Sequence, residues 1–396
     1  MPSFPCASLI FIIAASGLLS AFSVSHAAPR LLALHTYDLA SFPLAVCNDG
    51  SPSGYFFSPS PSGSSAVWLV HQEGGGWVFD ASSAVGRNAN LTSSKDWPTT
   101  LEIGGIFASS DPRLADANLV YAKYCTSDAW SGNIAADQVP FRFHFRGHQV
   151  VSALFTDLVQ SHGLGSKPAT ALLYSGCSAG ARGVLFNADR VAALVTSLVP
   201  RGNLARYGAL LDSAFWVDIA PFNASVVSFV AQTQRVYALA NASASVSPSC
   251  QAAFPAPEQW KCLFGGFAVP HLQSRYLLHA FLYDQFQITS DYGIPFNGPP
   301  PDNTPEELVF NEAFRNFTYE SAFRDTINPA RTGTAALLPA CFMHCNTEGA
   351  RFETMQTEGV TLERATLSWF FSEASVPAYV VESCKGFNCG PHCPSA

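Results

Sequence analysis

Short apolar runs, each broken by glycine or polar residues, recur along the chain at Ala66 to Val70, Leu119 to Tyr124, Ala171 to Tyr174, Gly208 to Leu211, Leu277 to Tyr283 and Ala378 to Val381. Their length and composition predict strands. Between several of them the apolar positions change to helical spacing, over Gly147 to Gln160 and Gly183 to Leu198. In the second segment Val184, Leu185, Ala188, Val191, Ala192 and Val195 recur at steps of three and four, so one face should pack on a sheet. Asn187, Asp189 and Arg190 fall between them, which makes Asp189 a structural or solvated carboxylate rather than a catalytic one. Strands alternating with helices predict an α/β fold with a central, mostly parallel sheet covered on both sides. Two loops rich in Pro, Gly and Ser, Ser51 to Ser65 and Pro295 to Pro305, are each followed by renewed patterning, so neither reads as a domain linker. There is no internal repeat and no heptad pattern.

Composition adds limits. With 396 residues, 48% hydrophobic and 13% charged, the chain can bury a large core. Its 21 Lys and Arg against 29 Asp and Glu give a formal charge of −8, which offers nucleic acid no general attraction and obliges a polyanionic substrate to find a local basic groove. The apolar stretch Leu9 to Leu19, followed by Ser25-His26-Ala27, predicts a secretory signal over residues 1–27 with cleavage after Ala27, although no Lys or Arg precedes it. That leaves residues 28–396 as a single domain. The stretch is too short to span a bilayer comfortably, so no stable membrane insertion is expected.

Of 11 cysteines, Cys6 lies in the expected leader, and an even number remains, as disulfides require. Cys384, Cys389 and Cys393 crowd a tail in which a staple would hold a loose terminus; the pairing itself is not legible. A zinc site of Cys341, His344 and Cys345 lacks any paired CxxC, and no metal is expected. Sequons at Asn90, Asn223, Asn241 and Asn316 fit a secreted glycoprotein.

The chemistry begins at Tyr174-Ser-Gly-Cys-Ser-Ala-Gly180, where a strand pattern stops and a helix pattern starts. A Gly-x-Ser-x-Gly string can arise by chance in a chain with 28 glycines, but flanked this way it reads as a nucleophile elbow presenting Ser178. A serine hydroxyl is a weak nucleophile near neutral pH, so the elbow calls for a histidine base and an orienting carboxylate, in the chain order serine, acid, histidine. Among ten histidines, His344 and His392 come late, with His271 and His279 between. His392 sits in the cysteine-rich tail, whereas His344 follows an apolar segment and is bracketed by Cys341 and Cys345; a buried histidine of no chemical role is the alternative. Asp212 and Asp284 both end strand patterns, and position does not choose between them; Asp291, Asp302 and Asp325 lie in less regular sequence. The oxyanion needs N–H donors, and the glycine-rich turn Glu73-Gly74-Gly75-Gly76-Trp77 after an earlier strand would supply them beside Ala179. A phosphate cradle is disfavoured, since no lysine follows in P-loop spacing.

Several blocks together resemble the pectin acetylesterase family, which includes animal carboxylesterases. They are Glu73 to Trp77, Ile103-Gly-Gly-Ile106, Tyr124-Cys125 with Ser131-Gly132, Phe145-Arg-Gly147, Ser175 to Gly180, Leu211 to Phe215, Tyr283 to Gln287 and Cys341 to Cys345, in the same order over about residues 45 to 350. The Ser-Gly-Cys-Ser-Ala-Gly form is similar to the plant members. The resemblance implies an α/β-hydrolase-like fold without a cofactor, in which Ser178 is the nucleophile, His344 the base, Asp284 the acid, and Asp212 a supporting carboxylate. It implies Gly76, Trp77 and Ala179 as oxyanion donors. Ala181 and Arg182 depart from the small residues usual after the elbow. The expected activity is removal of acetyl groups from pectin or a related wall polysaccharide by a secreted, monomeric enzyme; a lipid-protein deacylase and a non-catalytic wall glycoprotein are the alternatives.

Overall fold

The computed structural model describes residues 29–296, 302–326 and 331–394; the expected leader lies outside them. Ten strands form one sheet: β1 (Leu31–Thr36), β2 (Gly54–Ser58), β3 (Val67–Gln72), β4 (Thr100–Glu102), β5 (Asn118–Ala122), β6 (Thr170–Cys177), β7 (Leu204–Asp212), β8 (Tyr276–His279), β9 (Thr334–Leu338) and β10 (Tyr379–Val381). Their order is β10-β9-β8-β7-β6-β3-β5-β2-β1-β4. The seven from β10 to β5 run parallel, and β2, β1 and β4 extend the sheet antiparallel.

Alternate residues of the central strands face opposite layers, so their runs are apolar at nearly every position. Val70, Leu172, Tyr174 and Leu211 join the layer that contains α1 (Gly147–His162) and α2 (Ala179–Leu198). Leu69, Leu173, Leu210 and Leu337 face the other way, onto Leu362, Trp369 and Phe370 of α5 (Leu362–Phe371). Two further helices, α3 (Gln285–Tyr292) and α4 (Pro305–Glu320), lie between β8 and β9 in the chain.

Two readings of the sequence need correction. The segment Ser51 to Ser65 is not all loop: Gly54–Ser58 is a strand buried at every position, paired with both β1 and β5. The run Leu277 to Tyr283 is not one strand but β8 followed by a turn and the short strand Tyr283–Asp284. Asp189 accepts from the backbone N–H groups of Gln273 (2.9 Å) and Ser274 (2.7 Å), in keeping with a structural carboxylate. No helix among the described residues is long and apolar enough to cross a membrane.

Candidate active site

The carboxyl ends of β3, β6, β7 and β8 lie side by side: Gln72 is level with Gly176, Cys177 with Asp212, and Asp212 with His279. Open parallel sheets place their chemistry at this edge. Ser178 occupies the turn between β6 and α2 with φ 57° and ψ −123°, a strained backbone for a residue with a side chain. The turn closes because Gly180 lacks a side chain, since a Cβ there would sit 2.0 Å from the Gln72 carbonyl oxygen. Gly74 has the same role beside Ser178, where a Cβ would stand 2.8 Å from the Cys177 carbonyl oxygen and 3.1 Å from Cβ of Ser178.

A two-stranded parallel pair delivers the other two groups, with Phe342 opposite Tyr283 and Met343 opposite Asp284. Asp284 caps α3, its Oδ1 accepting from the Gln287 N–H at 3.0 Å, while its Oδ2 lies 2.7 Å from Nδ1 of His344. One oxygen fixes the carboxylate and the other orients the imidazole. The side chains of His344 and Asp284 are each 5% exposed. The imidazole stacks on Phe286 at 5.3 Å, and its Nε2 is buried without a partner among the described residues. Ser178 and His344 line one cavity of about 800 Å³. A disulfide joins Cys177, just before the serine, to Cys345, just after the histidine, with 5.7 Å between their Cα atoms. This bond ties the segment carrying Ser178 to the segment carrying His344 across a sequence separation of 168 residues.

Asp212 has a different partner. It is fully buried, with Oδ1 2.7 Å from Nδ1 of His279 and Oδ2 accepting from the Asn346 and Thr347 N–H groups and the Thr347 hydroxyl, each at 2.8 Å. Burial pushes its carboxyl up, but the His279 pair and the backbone donors outweigh that and hold it well below the usual range. Asp212 therefore anchors the loop that follows His344, without touching the imidazole that Asp284 orients. Ile106, in the Gly-Gly segment, braces the same loop by donating to the Thr347 carbonyl at 2.8 Å.

The glycine-rich turn is held by its carbonyls. Trp130 Nε1 donates to Glu73 O (3.1 Å), Arg87 Nη2 to Gly75 O (2.9 Å) and the Tyr124 hydroxyl to Gly76 O (2.9 Å). The N–H groups of Gly76, Trp77 and Ala179 have no acceptor among the described residues. Gly76 and Trp77 border the cavity, and Ala179 opens α2 behind Ser178, where the helix terminus favours negative charge. Glu73 pairs with Lys123 and accepts from the Tyr124 N–H at 2.8 Å. Asp128 fastens the far side of the turn, accepting from the N–H groups of Trp130, Gly132 and Gly147, and burial raises its carboxyl to about 6.

Arg182, the departure noted in the sequence, is buried behind Trp77. Its guanidinium carbon lies 3.9 Å from the Trp77 ring and 4.0 Å from the Trp216 ring, and Nη2 donates to the Leu263 carbonyl at 2.7 Å. The indole faces supply the attraction that a carboxylate would otherwise give. Neither this stack nor the pairing of Cys177 with Cys345 was evident from sequence, although cysteines flanking both the serine and the histidine were the available signal.

The other sequence candidates lie elsewhere. His279 is committed to Asp212, and His392 is exposed in a tail held by the Cys384–Cys389 and Cys341–Cys393 disulfides. The remaining bonds are Cys47–Cys125 and Cys250–Cys262. Cys341 and Cys345 are thus unavailable to zinc, and no metal-binding group occurs among the described residues. Five disulfides among the described residues are of a kind that forms and persists in oxidising compartments. Asp291 is buried on α3, one turn from Gln287, and the side chain of Asp325 lies outside the described residues.

A sharp strand-to-helix turn carrying serine, with an acid–imidazole pair from later loops, defines an α/β-hydrolase-like carboxylic-ester hydrolase. A family model described as Pectinacetylesterase matches residues 28–394, and the chain belongs to that family. It is 30% identical over 376 residues to the palmitoleoyl-protein carboxylesterase NOTUM of Mus musculus, a match covering 88% of this chain and 70% of that protein. The Homo sapiens counterpart is 30% identical over 371 residues, covering 88% and 71%. Among solved structures, the Wnt deacylase Notum from Drosophila superposes with a TM-score of 0.79 at 25% identity, covering 92% of this chain and 100% of that one.

Proposed function

We propose that this chain is a secreted serine esterase that removes acetyl groups from pectin or a related wall polysaccharide, using Ser178, His344 and Asp284. The observation that carries the reading is the His344 imidazole, held by Asp284 at 2.7 Å through Nδ1 while its unpartnered Nε2 shares a cavity with Ser178. In the reaction, Nε2 takes the Ser178 proton as Oγ attacks the acetyl carbonyl, and the N–H groups of Gly76, Trp77 and Ala179 receive the oxyanion. The imidazolium returns the proton to the departing sugar oxygen. Water, activated by the same imidazole, then attacks the acyl-enzyme and releases acetate.

A polysaccharide substrate is supported by the amides and charged groups of the cavity walls, among them Asn88, Gln232, Lys123 and Glu348, which suit a hydroxyl-rich polymer, while Trp77, Phe79, Leu91, Phe286 and Phe296 belong to an apolar lining that is the larger part. Behind Trp77 the Arg182–Trp216 stack fills the interior. The second reading, a lipid-protein deacylase, is favoured by the similarity to the palmitoleoyl-protein carboxylesterase NOTUM proteins. Secretion rests on the leader pattern and the disulfides, and the sequon residues Asn90, Asn223, Asn241 and Asn316 are all exposed, as modification requires. A single domain acting as a monomer completes the proposal. The test is acetate release from acetylated pectin: the wild type should produce it, and Ser178→Ala should not while melting at the same temperature. Retained release in Ser178→Ala would remove the assignment.

A further inference from the structure

We infer that Arg87 forms a carboxylate subsite in the cavity that takes a uronate of the substrate backbone next to the acetylated sugar. The inference rests on the esterase reading and names what the same site recognises beyond the ester. Arg87 lines the cavity with Ser178 and His344. Its Nε donates to the Ser127 hydroxyl at 2.6 Å and its Nη2 to the Gly75 carbonyl at 2.9 Å, while Nη1 has no acceptor among the described residues. The guanidinium is therefore fixed in place with one donor edge uncommitted. A planar, positioned fork is the side chain best matched to a carboxylate.

The other charges of the cavity are already engaged. Lys123 is tied to Glu73, and Glu348 accepts from His71 (3.0 Å) and Tyr121 (3.3 Å) at the ends of β3 and β5. Arg87 contacts the turn at Gly75 and the loop at Ser127 instead, and among the described residues no carboxylate pairs with it. The side chain of Asn88 borders the cavity beside it and can share hydroxyl contacts with the sugar. A chain with a formal charge of −8 repels a polyanion at long range, so recognition of an acidic polymer needs a local cation near the chemistry that no ion pair already holds. Arg87 meets that need.

The experiment compares acetylated polygalacturonate bearing free carboxylates, the same polymer methyl-esterified, and p-nitrophenyl acetate. The readout is each polymer's kcat/KM divided by that for p-nitrophenyl acetate, which cancels any general damage to the Gly75 turn. Arg87→Gln should lower the ratio for the free-acid polymer on the order of tenfold, the worth of one charge-assisted hydrogen bond, and leave the methyl-ester ratio unchanged. Arg87→Lys, which keeps the charge without the fixed fork, should recover only part of the preference. An unchanged ratio, or equal falls for both polymers, would overturn the inference. Deacetylated oligogalacturonate should also inhibit p-nitrophenyl acetate turnover competitively in wild type and weakly in Arg87→Gln; equal inhibition contradicts the subsite. This arm stands even if the wild type releases no acetate from any polysaccharide, a result that would count against the proposed substrate alone.

Discussion

Asp284 and Asp212 stand at equivalent strand ends, yet their surroundings assign them opposite duties. Asp284 spends one oxygen on the cap of α3 and the other on His344, so its loss should act on rate. Asp212 holds His279 and two backbone N–H groups inside the protein, so its loss should act on stability. Asp284→Asn should reduce kcat on p-nitrophenyl acetate by about 10³–10⁴-fold with little change in melting, the scale expected when an imidazole loses its orienting carboxylate. Asp212→Asn should cost about 3 kcal/mol in denaturant unfolding, as breaking a buried charged pair does. The reverse pattern would exchange their roles. Asp291 gives a third residue-level expectation. Burial raises its carboxyl to about 8, so the folded chain keeps a proton that the unfolded chain loses near 3.8. Its contribution to stability is therefore greatest at low pH and declines as pH rises through that interval. Asp291→Asn should melt progressively higher than wild type between pH 5 and pH 8; a constant difference in melting temperature would contradict the burial argument. Ser178 was legible because small residues and a change of periodicity mark the elbow locally. The choice of acid was not, because it depends on which loop meets His344, and nothing local to Asp212 or Asp284 encodes that; only the resemblance to a family singled out Asp284.

At the scale of elements, the site is assembled from three separate pieces: the β6–α2 turn, the Asp284 cap and the loop after Phe342. The Cys177–Cys345 bond ties the first to the last. Replacing both cysteines by serine should lower stability by about 2–5 kcal/mol, as loss of a native disulfide typically does. It should also depress kcat more than KM, because the histidine would lose its fixed distance from the serine. A double variant with wild-type kcat would show that packing alone aligns the pair. The central strands and the two long helices were legible as buried apolar runs and amphipathic periodicity. Strand β2 was not, since Gly54–Ser58 lies in a Gly/Ser/Pro-rich stretch and is a strand only because β1 and β5 pair with it. Strand β9, Thr334–Leu338, escaped for a related reason: five residues enclosed by β8 and β10 carry little signal of their own.

At the scale of the whole molecule, one sheet edge carries a cavity of about 800 Å³ whose aromatic, amide and charged walls fit a polymer, while the space behind Trp77 is filled by aromatic rings and Arg182. Such a shape should favour the smallest acyl group. Across p-nitrophenyl esters from acetate to octanoate, kcat/KM should fall as the chain lengthens; a rise toward octanoate would favour the deacylase reading drawn from the NOTUM relatives. The sheet order was beyond reach of the sequence because it is set by long-range pairings, as when β3 inserts between β6 and β5. The account as a whole depends on Ser178 being activated by His344. Treating the folded protein with a fluorophosphonate and locating the adduct by peptide mass spectrometry tests that most directly. The account predicts a single adduct on Ser178 that forms far more slowly in His344→Gln; an unlabelled Ser178 in protein that still hydrolyses acetyl esters would contradict it.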